Sequence, residues 1–367
     1  MLQNPENCWR WDRERNLART PKIAIVGSGI VGASIAWHLS RSGAQPVVIE
    51  AGEAGGLATR SSWAWINASW GNPEPYFRLR HRSMAMWHDL ERDVPGITVA
   101  WGGGLIWDMP TDELDAYARQ HSAWGYGIAR VGALEAQRIE PQLASPPERA
   151  LYVAEEGAVE PLAATLALLA AAKSRGAEII PRQPVLNLVE RAGKLVGVET
   201  DGGMIDADEV VLAAGVATPE LAAPMGIEIP MTAPPGLLVV SKPHSRLLNG
   251  LVMAPEMHLR QTADGRIVAG DDFGGSDPGE DALVSARAVF DQLKNLLRSG
   301  ETLEFDHFSL GYRPTPGDGF PVVGRPQSIA GLYLATMHSG ITLAPAVGRF
   351  AASEILTGRR DVLLAPF

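Results

Sequence analysis

The stretch Lys22 to Glu50, KIAIVGSGIVGASIAWHLSRSGAQPVVIE, constrains the fold of this chain more than any other. Ile23 to Val26 is a short β-branched apolar run, the mark of a strand buried on both faces. Gly27, Gly29 and Gly32 follow in G-x-G-x-x-G spacing, Ala33 to Arg41 continues with helical periodicity, and Gly43 stops it. A second buried strand, Pro46 to Ile49, leads to Glu50. Each residue type has a physical reason to be there. Gly27 lets the chain turn out of the strand. Gly29, with Ile30 and Val31, leaves bare backbone at a helix N-terminus, where a pyrophosphate is favoured. Gly32 lets helix and strand pack closely. Glu50, followed by Ala51, stands where an acid accepts hydrogen bonds from ribose hydroxyls. An incidental glycine-rich turn explains the glycines but not the position of Glu50. The motif predicts dinucleotide binding and does not separate FAD from NAD.

The rest of the chain narrows the choice. At 367 residues it is longer than one typical domain, which suggests two domains. Hydrophobic content of 46% with 20% charged residues is that of a soluble globular protein. A formal net charge of -10 argues against nucleic acid as partner, since phosphate binding needs a basic face. The lone cysteine, Cys8, excludes an intramolecular disulfide or a cysteine metal cluster. Met1 to Thr20 has no apolar run of the secretory kind and reads as an extension, docked through Trp9 and Trp11. Leu162 to Ala172 is far shorter than the roughly 20 residues a bilayer span needs. Together these point to a cytoplasmic protein.

After Glu50 the loop carries Thr59, Arg60, Ser61 and Ser62, hydroxyls suited to a neighbouring pyrophosphate. Trp63 and Trp65 adjoin it and are candidates to wall an apolar pocket; core packing is the alternative role. Tyr76 to Glu91 reads as a helix, and Ile97 to Trp107 as two strands about the Gly102-Gly103-Gly104 turn. Thr111 to Gly125 reads as a helix capped by Thr111, and Leu134 to Ile139 as a short one. This block breaks the strand-helix-strand rhythm, as an inserted lobe would. A helix from Pro161 to Arg175 then precedes a β-meander, Val185 to Glu190, Lys194 to Thr200 and a third strand. Next comes DEVVLAAG, a buried strand ending in Ala214 and Gly215. That order suits a flavoprotein better than a nicotinamide dehydrogenase, which would continue in strand-helix units.

DEVVLAAG, GYRPTPGDGFPVVG and MHSGITLAPAVGRFAASEI, with the first motif, resemble the D-amino-acid oxidase, glycine oxidase and sarcosine oxidase family, from Pro21 onward. The resemblance implies an α/β, two-domain fold with a Rossmann-like FAD-binding domain, a β-meander and an antiparallel-sheet substrate domain. The expected bounds are 1–20 for the extension, 21–75, 145–222 and 308–367 for the FAD domain, and 76–144 and 223–307 for the substrate domain. In the latter, Leu237 to Ser241, Met257 to Gln261 and Arg266 to Asp271 are strand-like, with Asp264-Gly265 as a hairpin turn. His258, Arg260 and Asp271 are the polar residues that would face substrate from that sheet, or else solvent. Ser285 to Arg298 follows as an amphipathic helix.

Arg313 stands where family members grip a substrate carboxylate, a task suited to the two parallel hydrogen bonds of a guanidinium. Gly340, Ile341 and Thr342 open the last helix, and their amides suit the pyrimidine end of a flavin. Val185, in the meander, is a further expected cofactor contact. His338 departs from the basic residue some relatives carry near this turn, and it serves to bind substrate, tune proton loss or cap the helix. With no cysteine in the C-terminal half, FAD is expected to be non-covalent unless a histidine carries it. The implied activity is oxidation of the C–N bond of a D-amino acid, a glycine-like or an N-substituted amino acid. Oxidation of a 2-hydroxy acid with His338 or His258 as base remains open. So does the role of flavin subunit passing electrons to a partner, and a homo-oligomer is compatible with either.

Overall fold

The computed structural model describes residues 21–270, 278–279 and 281–367. The N-terminal extension, with Cys8, Trp9 and Trp11, and Asp271 in the substrate sheet lie outside the described residues.

The Lys22–Glu50 motif builds the centre of a six-stranded sheet. Ile23–Val26 pairs in parallel with Val47–Ile49 on one side and with Glu209–Leu212 on the other. Glu178–Ile180 extends the first edge, Leu332–Thr336 the second, and Val322–Gly324 closes the sheet as an antiparallel edge strand. The helices, in chain order, are α1 (Ile30–Arg41), α2 (Leu57–Arg60), α3 (Glu74–Asp93), α4 (Thr111–Ala123), α5 (Ala133–Ile139), α6 (Pro161–Lys173), α7 (Thr218–Ala222), α8 (Ala282–Leu296) and α9 (Gly340–Thr357). α1 starts a turn earlier than its apolar periodicity indicated, because Ile30 N–H is satisfied by Thr59 Oγ1 at 3.1 Å.

The glycines do what their spacing requires. Gly27 has φ +102°, and a Cβ on it would lie 2.4 Å from the carbonyl oxygen of Ala213. A Cβ on Gly32 would lie 2.1 Å from the carbonyl oxygen of Gly27, so only glycine lets α1 sit this close to the sheet.

α9 packs along α1 and α3. It contains Pro345, which lacks an N–H and so leaves the carbonyl of Ile341 without its usual helical donor. Trp87 of α3 supplies that donor through Nε1, at 3.1 Å. Ser83 Oγ accepts from Ala346 N–H at 3.2 Å, and Ser34 of α1 donates to the Ala344 carbonyl at 2.6 Å. α3 falls inside the segment expected for the substrate lobe, yet it packs on α9 through Ser83 and Trp87.

The second sheet has eight strands. Their order is Phe305–Tyr312, Pro235–Ser241, Ile267–Gly270, His258–Gln261, Leu251–Met253, Gly104–Ile106, Arg149–Val153 and Ile128–Gly132. It is antiparallel apart from the pairing of Leu251–Met253 with Gly104–Ile106. α8 covers one face through Ala286, Val289, Phe290 and Leu293. The expected strands about Gly102–Gly104 form, but not as a hairpin. Val99–Ala100 pairs with Gly157–Val159 in a small sheet, while Gly104–Ile106 enters the large one. Partners distant in sequence outcompete the local turn. Thr111 is the first residue of α4, not its cap, since Pro110 holds the cap position. The meander Val185–Arg191, Lys194–Thr200, Gly203–Asp206 forms as expected.

Candidate active site

One large cavity, about 1140 Å³, runs between the two sheets. That exceeds the space a single small ligand commonly fills, roughly 300–1,000 Å³. At one end stand Gly27, Gly29, Ile30, Val31, Glu50, Ala51 and Thr59. Glu50 is organised by its own neighbours. Its Oε2 accepts from Ser28 N and Oγ, both at 2.8 Å, and its Oε1 from Gly52 N at 3.0 Å. Ser61, Ser62, Val185, Ala214 and Gly215 line the cavity too. Gly340, Ile341, Thr342, Trp63, Trp65, Arg313 and His338 line it as well, and a Cβ on Gly340 would lie 3.3 Å from Val31 Cγ2, so the starts of α9 and α1 are neighbours. Gly32 stays behind the wall, where its role is packing.

The N-termini of both α1 and α9 open on this cavity, and neither cap residue, Gly29 or Ser339, supplies a side-chain cap. Two helix N-termini without a cap from their own N-cap residues, one behind bare glycines, suit a ligand that carries negative charge at more than one place. A flavin adenine dinucleotide has that character, in its pyrophosphate and in the pyrimidine edge of its reduced ring. The residues present therefore fit it.

His258 and Arg260 do not reach the cavity. His258 Nε2 is 2.8 Å from Asp108 Oδ2. Arg260 donates to the Trp63 carbonyl at 2.7 Å and to Glu160 Oε1 at 2.8 Å. The large sheet presents these side chains to acids on neighbouring elements, so both brace the lobe rather than meet a ligand there.

His338 is open to the cavity but hemmed in by protein. That desolvation first, and then the cations of Arg313 and Arg80, lower its pKa to about 4. Arg313 donates to the Pro235 carbonyl at 3.1 Å. Trp63 and Trp65 meet edge-to-face, with ring centroids 5.9 Å apart. Trp63 Nε1 donates to the Val268 carbonyl at 3.2 Å, and Trp65 Nε1 to Glu156 Oε2 at 2.8 Å. Glu156 is wholly buried and also accepts from the Tyr126 hydroxyl at 2.5 Å; burial raises its pKa to about 8.

Sequence reasoning missed Arg80, Asn67, Trp70 and Tyr76, which line the cavity beside Trp65. Arg80 sits in the helical run RLRHR, within the stretch read only as a helix. Only its deep burial, 7% exposed, distinguishes it from Arg78 and Arg82.

Comparison with known proteins agrees with this architecture. The family model described as FAD dependent oxidoreductase (DAO) matches residues 22–354. The chain belongs to that family and is an FAD-dependent oxidoreductase. It is 28% identical to a glycine oxidase of Bacillus licheniformis, over 90% of this chain and 92% of the relative. It is likewise 28% identical to an opine oxidase subunit of Agrobacterium tumefaciens (strain Ach5), over 94% of this chain and 96% of the relative. The solved glycine oxidase from Geobacillus kaustophilus shares the fold with a TM-score of 0.86 at 24% identity, covering 95% of this chain and 98% of that one. Among the described residues no helix is long and apolar enough to cross a membrane.

Proposed function

We propose that the protein oxidises the C–N bond of a small amino acid, glycine-like, D- or N-substituted, to an imine that water hydrolyses to a keto acid and ammonia or an amine. The observation that carries this reading is the positive end of the cavity. Arg313, Arg80 and the N-terminus of α9 all border it, and His338 beside them is held neutral at pH 7 by burial first and then by the two arginine charges. Such an end attracts a carboxylate and disfavours a bare ammonium, so the amine must arrive held by its acid group and lose its proton. Arg313 is the clamp, and orientation of the reacting carbon is its contribution to catalysis. Bound FAD supplies the acceptor for the hydride leaving that carbon. It is held, in this proposal, without a covalent bond, by Gly27, Gly29, Glu50, Thr59, Ala214, Gly215 and the start of α9.

His338, neutral above about pH 4, offers a hydrogen bond rather than a strong base. That disfavours a 2-hydroxy acid substrate, whose hydroxyl proton needs a base. The proposed division into a discontinuous FAD domain and a substrate domain puts Trp63 and Trp65 at their junction, where their rings exclude water from the reacting carbon. The likeness to one subunit of an opine oxidase supports a second possibility for the electrons, delivery to a partner protein instead of oxygen.

Anaerobic titration of the flavin-loaded protein with amino acids tests the reading. Bleaching of the flavin by an amino acid, lost in Arg313→Ala, is the expected result. Bleaching by hydroxy acids alone overturns it. Oxygen uptake on re-aeration separates an oxidase from a partner-dependent dehydrogenase, and acid precipitation that leaves the flavin in solution verifies non-covalent binding.

A further inference from the structure

Arg80 is a buried cation without a counter-ion among the described residues. It is 7% exposed, it forms no ion pair among the described residues, and it lines the cavity. Its Nε donates to the Asn67 carbonyl at 3.1 Å and its Nη2 to Asn67 Oδ1, while Nη1 has no hydrogen-bond partner among the described residues. The ring of Tyr76 lies beneath the guanidinium, 5.4 Å from its centre, and the Tyr76 hydroxyl is buried with no hydrogen-bond partner. Glu156 is within electrostatic reach of Arg80 but forms no ion pair with it; its two oxygens accept from Trp65 Nε1 and the Tyr126 hydroxyl, and burial raises its pKa. Among the acids lining the cavity, Glu50 is engaged by Ser28 and Gly52. Leaving an arginine desolvated and unpaired is costly. A side chain held this firmly by Asn67 and Tyr76 is therefore arranged for an anion that comes from outside.

Arg313 already accounts for one carboxylate, and the two arginines stand on different elements, one on α3 and one at the end of Phe305–Tyr312. We infer that Arg80 is a second carboxylate anchor and that the substrate is a dicarboxylic amine, such as an N-(carboxyalkyl) amino acid, rather than glycine. This rests on the amino-acid reading above and specifies its substrate class. Trp65 and Trp70 line the same cavity and add apolar wall to it, which suits the hydrocarbon linking two acid groups.

The test uses the flavin-loaded enzyme and its absorbance shift on binding unreactive acids that share a three-carbon chain, butyrate against glutarate. Glutarate is expected to bind about tenfold tighter or better. Arg80→Gln should erase most of that preference, weakening glutarate more than butyrate, whereas Arg80→Lys should retain part of it. With iminodiacetate and N-methylglycine as anaerobic reductants, Arg80→Gln should raise the half-saturating concentration for the diacid much more than for the monoacid. Equal affinity for the two acids in the wild type overturns the inference even if Arg80→Gln fails to fold. So does an Arg80→Gln effect that is the same for both acids and accompanied by a changed flavin reduction potential, which would assign Arg80 to the flavin. If N-methylglycine still bleaches the flavin in either case, the amino-acid reading survives alone. If no amino acid bleaches it, both fail.

Discussion

Replacing Glu156 by glutamine isolates the most strongly perturbed carboxyl that touches the site. A carboxyl raised from the ordinary 4.5 to about 8 keeps its proton in the native state while the unfolded chain releases it. The native state is thus favoured in full below pH 4.5, and that contribution declines as pH climbs to about 8, then stays level. At 1.36 kcal/mol per pH unit the decline is about 4 kcal/mol between pH 5 and pH 8. Glutamine imitates the protonated acid. Its carbonyl can accept from Trp65 Nε1, and its amide can donate to the Tyr126 oxygen, which accepts from Ala68 N–H at 3.0 Å and faces Met84 Sδ at 3.9 Å. Urea unfolding of both proteins, flavin-loaded, from pH 5 to pH 8 supplies the comparison, since other titrations cancel in the difference. The two should agree within about 1 kcal/mol at pH 5 and separate by about 4 kcal/mol at pH 8, glutamine being the more stable. Parallel stability curves would falsify the reasoning, because they mean Glu156 is ionised throughout.

Gly27→Ala forces a left-handed residue and drives a Cβ to 2.4 Å from the Ala213 carbonyl, so the purified variant should retain little flavin by absorbance. His338→Asn should leave the shape of the kcat/KM profile between pH 5.5 and 8 unaltered, because the wild-type ring gains its charge only near pH 4; loss of an ionisation near neutrality would contradict this. Gly348→Ala places a methyl 2.2 Å from Ser34 Oγ and should destabilise the protein by about 1–3 kcal/mol in thermal or urea unfolding.

Local chemistry made the Lys22–Glu50 unit, the meander and the start of α9 legible, because glycine spacing and buried β-branched runs act over a few residues. The pairing of Gly104–Ile106 was not legible, since its partners lie far away in the chain. His258 and Arg260 looked like binding residues for the same reason; nothing local announces Asp108 or Glu160 as their partners. Arg80 failed in the opposite direction. A charged helix run normally faces water, and only the packing of α3 on α9 turns this one inward.

Ser34 and Gly348 join α1 to α9 at a contact too close for any larger residue. The consequence is a rigid calliper. Both jaws, the N-termini of α1 and α9, are set by helix packing and not by loops, so the span offered to a ligand exists before the ligand arrives and needs little ordering on binding. Wear at the hinge of such a tool would widen or skew its gap, so substitutions at that distant contact should alter which cofactor lengths are accepted as well as how firmly the chain holds together.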